Sequence, residues 1–389
     1  MKSDCYIIGK SLVCSLGSTQ EQITNTLFNL NQENYEVFLK EKFRKKAFYS
    51  IEEFSQKLDN RFFDILKKVI DDVLQDACLD LKEKEDLHIF IGSTSMGISL
   101  NEEQNKKNHH NPDEDELSNI GYGFIGSFVE NYIHSKHKSL LFSTACTSSI
   151  NALSYAAQRI KHNKIKKAIV IGVELFNKST FNGFGSFMLL SQNNVYRPFD
   201  TRSDGIILGE GCSAVIVSSE RKSDDDFRYL SSANICDNFS DTSSDPSGEP
   251  IFQTLEKTLQ NANINLKDID LIKAHATGSE NNNISESNAL TKLFNSQKIK
   301  VDVTALKPYI GHTLGACGTN ELIVLLYCIK KGFFPACLGF EHPIANLSFT
   351  PLLEHKNISK KVTVLLNFVA FGGNNSSFIL TNKSHNVHP

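Results

Sequence analysis

No apolar run in this 389-residue chain reaches the roughly 20 residues that a helix needs to cross a bilayer. The sequence therefore offers no membrane-spanning helix. An excess of one charge is missing too: 41 Lys and Arg stand against 44 Asp and Glu, a formal net charge of −3. Such a balance makes no electrostatic case for nucleic acid or an anionic membrane surface. CxxC pairs are absent, and nine irregularly spaced cysteines, an odd number, fit reduced thiols rather than a disulfide framework or a zinc site. A phosphate loop, a dinucleotide fingerprint and metal-ligand spacing are also lacking; GFGS at 183–186 is too short and misplaced to serve. Neither a metal nor a bound cofactor is expected. The opening residues, MKSDCYIIGKSLVCSLG, show no cleavable signal pattern, so a cytoplasmic location is the expectation.

What is present is enough for a large core. At 40% hydrophobic and 22% charged residues, the chain suits two ordinary domains or one large α/β unit. Val- and Ile-rich runs alternate with helix-length amphipathic segments, which predicts a mainly parallel sheet covered on both faces. LHIFIGST (87–94) and KKAIVIGVELF (166–176) read as central strands, and RFFDILKKVIDDVLQDACL (61–79) as a helix. The polar stretch 100–119 has no periodicity and reads as an exposed or partner-facing loop, and KEKFRKKAF (40–48) as a solvated basic face. FSDTSSDPSGEP (239–250) marks a boundary, giving halves 1–238 and 239–389. Each half carries a small-residue helix start and, later, glycines followed by an alternating strand. A coarse duplication accounts for this, with chemistry where the two helix starts face each other.

The first helix start is LLFSTACTSSINALSYAAQRI (141–161), which puts Cys146 among Ala145, Thr147 and Ser148. Unpaired N–H groups and the helix dipole at such a position favour an anion, lowering a thiol's pKa and holding a developing oxyanion. By itself a cysteine there is more often a structural residue at a tight turn. In the second half, LIKAHATGS places His275 directly after an apolar strand, followed by Thr277 and Ser279, and LKPYIGHTLGACG places Lys307 and His312 before a small-residue helix start. Taken singly, each His is more often a hydrogen-bonded structural residue. One Cys and two His at strand ends or helix starts together form the constellation expected for acyl transfer through a thioester.

In order along the chain, STACTSSINAL, YRPFDTRSDGIILGEG, AHATGS, KPYIGHTLGACG and NFVAFGGNNSSF resemble the signature segments of the elongating β-ketoacyl-acyl carrier protein synthases. The resemblance implies an α/β, thiolase-like duplicated fold of five layers, α-β-α-β-α, working as a dimer. It implies an acyltransferase that performs a decarboxylative Claisen condensation with malonyl-acyl carrier protein, its substrates carried on 4′-phosphopantetheine. By resemblance, Cys146 is the nucleophile, while His275 and His312 support decarboxylation and stabilise the enolate. Lys307 is held by Glu321, and Thr277 and Ser279 grip the pantetheine arm. Phe371 is the gate whose backbone N–H joins the oxyanion hole, flanked by Ala370, Gly372 and Gly373. Lys307 with Glu321 reads equally as a structural buried pair, and Thr277 and Ser279 as caps of local backbone.

Departures from the family pattern point to a specialised fatty acid or polyketide pathway, an aryl-polyene system among the readings. Ala370 replaces the first glycine of the gate, which predicts a stiffer gate. Asn283 stands in place of an acidic residue, although Glu286 keeps the later one, and SDTSSDPSGEP replaces the usual His-x-Thr-x-Pro segment. The segment before Cys146 is shortened. The alternative function is a chain-length-factor-like partner subunit of a ketosynthase heterodimer, which shapes the tunnel without catalysing; such partners usually lose the cysteine. Homodimer and heterodimer both stay open. A thiolase fits less well, since that family has a second cysteine where this chain has the two-histidine pattern.

Overall fold

The computed structural model describes residues 3–43, 47–54, 58–108 and 121–384. Among the described residues, ten strands join into one hydrogen-bonded set: β1 (Tyr6–Cys14), β2 (His88–Gly92), β3 (Leu140–Phe142), β4 (Lys167–Glu174), β5 (Gly211–Ser218), β6 (Phe227–Cys236), β7 (Leu271–Lys273), β8 (Asp302–Thr304), and then β11 (Thr363–Val369) and β12 (Asn374–Thr381). Between the last two pairs lies a separate small ribbon of β9 (Phe333–Phe334) and β10 (Lys356–Asn357). The order β3-β2-β4-β5-β1-β6-β12-β11-β7-β8 is a mirrored repeat. Five strands of the first half are followed by their five counterparts in reverse, joined where β1 pairs antiparallel with β6.

The pairing corrects the expectation of a mainly parallel sheet. β2 with β3 and β4, and β7 with β8 and β11, are parallel, but β4–β5, β5–β1, β6–β12 and β11–β12 are antiparallel. Near-continuous apolar runs report burial of both faces, and direction is a separate matter. Burial on both faces is indeed what the strands show. In β4, Ala168 and Val170 face the central core while Ile169, Ile171 and Val173 face an outer one; in β11, Val364, Leu366 and Phe368 face the centre and Leu365 and Val369 the opposite outer core.

Five layers result, with the helix Leu58–Asp76 outside the first half-sheet and Glu249–Ala262 with Glu280–Gln297 outside the second. Two helices, Ser148–Lys161 and Cys317–Lys331, fill the middle. Every residue from Cys317 to Ile329 is buried, as a helix enclosed on all sides requires. The helices meet through small residues: Thr319 N–H donates to Ser149 Oγ at 3.1 Å, and a Cβ on Gly318 would lie 2.5 Å from the Ile150 nitrogen. Gly92 has the same importance on β2, since a Cβ there would lie 2.3 Å from Ser149 Cα. Gly92→Ala is therefore expected to push the helix that follows Cys146 off its strand, destabilising the chain by about 1–3 kcal/mol. A thermal melt measures the loss, and an unchanged Tm would show that the helix shifts freely.

Two further readings change. The helix Ile98–Asn108 runs into the stretch 100–119 taken for a loop; 109–119 lie outside the described residues. Its anchor is tertiary: Glu102 accepts hydrogen bonds from the backbone N–H groups of Lys178 and Ser179 and from Ser179 Oγ, capping the neighbouring helix Lys178–Ser186. Periodicity carries no trace of such a contact. In the basic run at 40–48, Lys40 and Glu41 are exposed, but Phe43 packs on the central core and Phe48 is buried. Residues 44–46 of that run lie outside the described residues. Among the described residues, no helix is long and apolar enough to cross a membrane.

Candidate active site

After β3 the chain turns sharply into the helix Ser148–Lys161, and Cys146 sits on that turn. Ala145 adopts φ +49°, a conformation disfavoured for a residue with a Cβ. Its carbonyl is tied down by Ser148 N–H (3.1 Å), Ser148 Oγ (2.6 Å) and Thr94 Oγ1 (3.2 Å). Glu174, buried at the end of β4, in turn accepts hydrogen bonds from the Thr94 and Ser95 N–H groups and the Ser93 and Ser95 hydroxyls. Strain at the turn is thus held by a polar scaffold, which presents the Cys146 thiol to a fixed point.

Strand β7 delivers His275 in the same way, with Ala276 at φ +49°. Glu286 accepts from the His275 N–H (2.6 Å), the Ala276 N–H (2.7 Å) and Asn367 Nδ2 (2.7 Å). His312 follows Gly311, whose φ of +71° and contact with the Tyr49 ring leave no room for a Cβ. The His312 backbone docks on the neighbouring chain, donating to Ile207 O at 2.8 Å and accepting from Gly209 N–H at 3.1 Å. The two imidazoles stand nearly perpendicular with ring centroids 5.4 Å apart. His312 Nδ1 is buried and has no hydrogen-bond partner among the described residues.

Cys146, His275, His312, Thr277, Ser279, Ala370 and Phe371 line one cavity of about 30 Å³. Lys307 and Glu321 stand behind it: Lys307 Nζ lies 2.6 Å from Glu321 Oε1, 2.7 Å from His275 O and 3.1 Å from His275 Nδ1, and both side chains are fully buried. Thr277 Oγ1 and Ser279 Oγ are 3.0 Å apart. The Phe371 backbone N–H acts to lower the pKa of the Cys146 thiol, and the Phe371 ring stacks on Phe184 at 5.7 Å and 17°. Ala370 is extended (φ −137°, ψ 155°), a shape any residue adopts. The left-handed turns of the gate fall instead on Gly372 (+72°) and Gly373 (+74°). A Cβ on Gly373 would lie 2.0 Å from Asp237 O.

Burial sets the protonation states. It pushes the Cys146 thiol up to about 12, against the opposing pull of the Lys307 ammonium and the Phe371 N–H. The expected lowering by the helix start is outweighed, because the thiol is enclosed and the carboxylates of Glu174 and Glu321 are near. His275 and His312 are held well below the usual imidazole range, first by burial and then by Lys307, with Lys273 adding to both. Both rings are neutral at neutral pH.

Sequence reasoning missed several residues here. Thr242, Ser243 and Ser244, in the polar run taken as a boundary, line the cavity. Phe184 lies inside GFGS, set aside as a failed nucleotide loop. Lys273 stands in plain view in LIKAH, a charge inside an apolar strand and so a signal in its own right. Asn283, where an acid was expected, bonds Phe199 N–H and Ser203 Oγ and does not line the cavity.

Comparison with known proteins gives the family. Residues 13–223 match the family model "Beta-ketoacyl synthase, N-terminal domain" and 228–341 match "Beta-ketoacyl synthase, C-terminal domain". The chain is 28% identical over 259 residues to 3-oxoacyl-[acyl-carrier-protein] synthase 2 of Coxiella burnetii, covering 63% of this chain and 62% of that one. It is 29% identical over 245 residues to the chloroplastic 3-oxoacyl-[acyl-carrier-protein] synthase I of Arabidopsis thaliana, covering 60% and 52%. The matches thus span about half to three fifths of those relatives. Among solved structures, a ketosynthase of a type II PKS, captured with its acyl-carrier protein and bound to the hexaketide, superposes with a TM-score of 0.84 at 18% identity over 98% of this chain and all of that one. That likeness shows the thiolase-like ketosynthase fold. By both halves of its sequence and by its fold, the chain belongs to the β-ketoacyl synthase family.

Proposed function

We propose that the chain is a β-ketoacyl-acyl carrier protein synthase, extending an acyl chain held as a thioester on Cys146. The observation that carries this reading is the one cavity shared by Cys146, His275, His312 and Phe371. In the first half-reaction the Cys146 sulfur attacks the incoming thioester carbonyl. The negative charge that develops on oxygen falls near the N–H groups of Cys146 and Phe371. The thiol proton leaves as the new C–S bond forms, passes to a neutral imidazole of the same cavity, and ends on the departing pantetheine sulfur. In the second, the malonyl carboxylate leaves as CO2, and the enolate oxygen takes hydrogen bonds from the His275 and His312 rings. The enolate carbon then attacks the Cys146 thioester, and the released thiolate regains a proton.

Thr277, Ser279, Thr242, Ser243 and Ser244 supply hydroxyls at the cavity wall, suited to the amide groups of a phosphopantetheine arm on a carrier protein. A cavity of about 30 Å³ has room for little beyond water, so acyl entry requires the Phe371–Phe184 stack to open. A second ketosynthase-like subunit fits at β3. This strand ends the sheet with one edge unpaired among the described residues, its Leu140 is 46% exposed, and the Phe90, Phe142 and Tyr155 rings gather beside it. The test is intact-mass spectrometry of the chain mixed with acyl-loaded carrier protein. One acyl mass should appear on the chain, then disappear when malonyl-carrier protein is added; no mass gain, alone or with a partner subunit, overturns the reading.

A further inference from the structure

Lys273 is the last residue of β7, two residues before His275. It is fully buried, yet each direction of its ammonium is answered: Glu321 Oε2 at 2.6 Å, Asn367 O at 2.9 Å, and the Phe368 ring, with its centroid 3.6 Å away. Lys307 uses its three N–H groups on Glu321 Oε1, His275 O and His275 Nδ1. One carboxylate, Glu321, therefore holds two ammoniums, one on each oxygen. The other buried carboxylate nearby, Glu286, is linked to Lys273 through Asn367.

We propose that Lys273 is a positioning residue for His275: it balances the second buried carboxylate and shares Glu321, so that Lys307 keeps its third N–H on His275 Nδ1. With that bond in place the ring proton resides on Nε2, the nitrogen left to face the substrate oxygen. Lys273 and Lys307 offset Glu321 and Glu286, with Glu174 lying beyond Cys146; without Lys273, the site carries one more uncompensated negative charge where an anionic enolate must form. The titratable groups around His275 are Lys273 at the end of β7, Lys307 and His312 after β8, Glu321 and Cys317 on the central helix, Glu286 on Glu280–Gln297, and Cys146. Burial opposes protonation of the ring first, and of these groups Lys307, then His312, then Lys273 oppose it further, in line with its depressed pKa. The consequence for catalysis rests on the synthase reading; the ring state does not.

The test is NMR of the full chain with 15N-labelled histidine, in the wild type, Lys273→Gln and Lys273→Met. Gln keeps a donor for Glu321 and removes only the charge; Met removes both. Wild-type His275 should stay neutral with its proton on Nε2 from about pH 5.5 to 8. In either folded variant it should begin to titrate within that range, a rise of at least about one unit. Malonyl decarboxylation should then fall at least about tenfold at pH 8, where the ring is neutral and the uncompensated carboxylate faces the forming enolate, and recover toward pH 6 as the ring gains its proton, with acyl loading of Cys146 much less affected. A wild-type His275 that carries its proton on Nδ1, or a Gln variant with the wild-type titration, overturns the proposal. Where neither variant folds, the wild-type spectrum alone decides. A chain that never loads acyl groups while the NMR result holds overturns the synthase reading and leaves the role of Lys273 standing.

Discussion

Cys146→Ala should abolish acyl loading, with turnover reduced by at least about 10⁴-fold. Among the described residues no other thiol lines the cavity, and Cys317, whose Sγ lies 2.9 Å from Cys146 O, points at backbone from the central helix. The substitution removes one sulfur from a site whose backbone is held independently by Thr94, Ser148 and Glu174, so the fold should survive and the loss should be chemical. Intact mass with acyl-carrier protein reads it directly: loading retained by Cys146→Ala would remove Cys146 as the nucleophile. The same variant, reconstituted with a partner ketosynthase, separates the two functional readings. Product formation that collapses makes this chain the catalyst, whereas product formation that persists assigns it the tunnel-shaping role.

His312→Ala should lower malonyl decarboxylation by about 10²–10³-fold while acyl loading falls much less. The enolate's negative charge exists only in the second half-reaction, so a donor that stabilises it matters there and little before. Folding is not at stake to the same degree. The position is fixed by backbone bonds to Ile207 and Gly209, and the ring nitrogen Nδ1 bonds nothing among the described residues, so truncation leaves no orphaned partner on that side. Release of CO2 from malonyl-carrier protein, measured beside the rate of acyl transfer, gives the two numbers. Equal losses in both would make His312 a structural residue and leave His275 as the sole enolate donor.

Legibility in the sequence followed the length scale of each feature. The turn at Cys146, the strand-end His275 and the glycine before His312 are local. Their chemistry resides in a few consecutive residues, and five such segments in order placed the chain in its family. The duplicated fold was equally readable, because each half repeats its own small-residue helix start and glycine-led strand. Strand direction was not, since an apolar run buried on two faces looks alike in either orientation. The helix Ile98–Asn108 was hidden for a related reason: its support is the capping of another helix by Glu102, more than 70 residues from the Lys178 and Ser179 N–H donors it accepts from.

By itself, then, the sequence determined the kind of chemistry: a thiol and two imidazoles at positions where backbone dipoles converge, on a scaffold without metal or nucleotide motifs. Only the tertiary structure decided the state of those groups. Enclosure raises the Cys146 thiol and keeps both histidines neutral, reversing what a helix start alone implies, because the cost of a charge depends on everything that excludes water from it. It also brought Thr242 to the cavity, Phe184 onto Phe371, and Lys273 to Glu321 across 48 residues. Contacts of that range leave no periodic mark along the chain; they arise when two half-sheets close on a shared pair of helices.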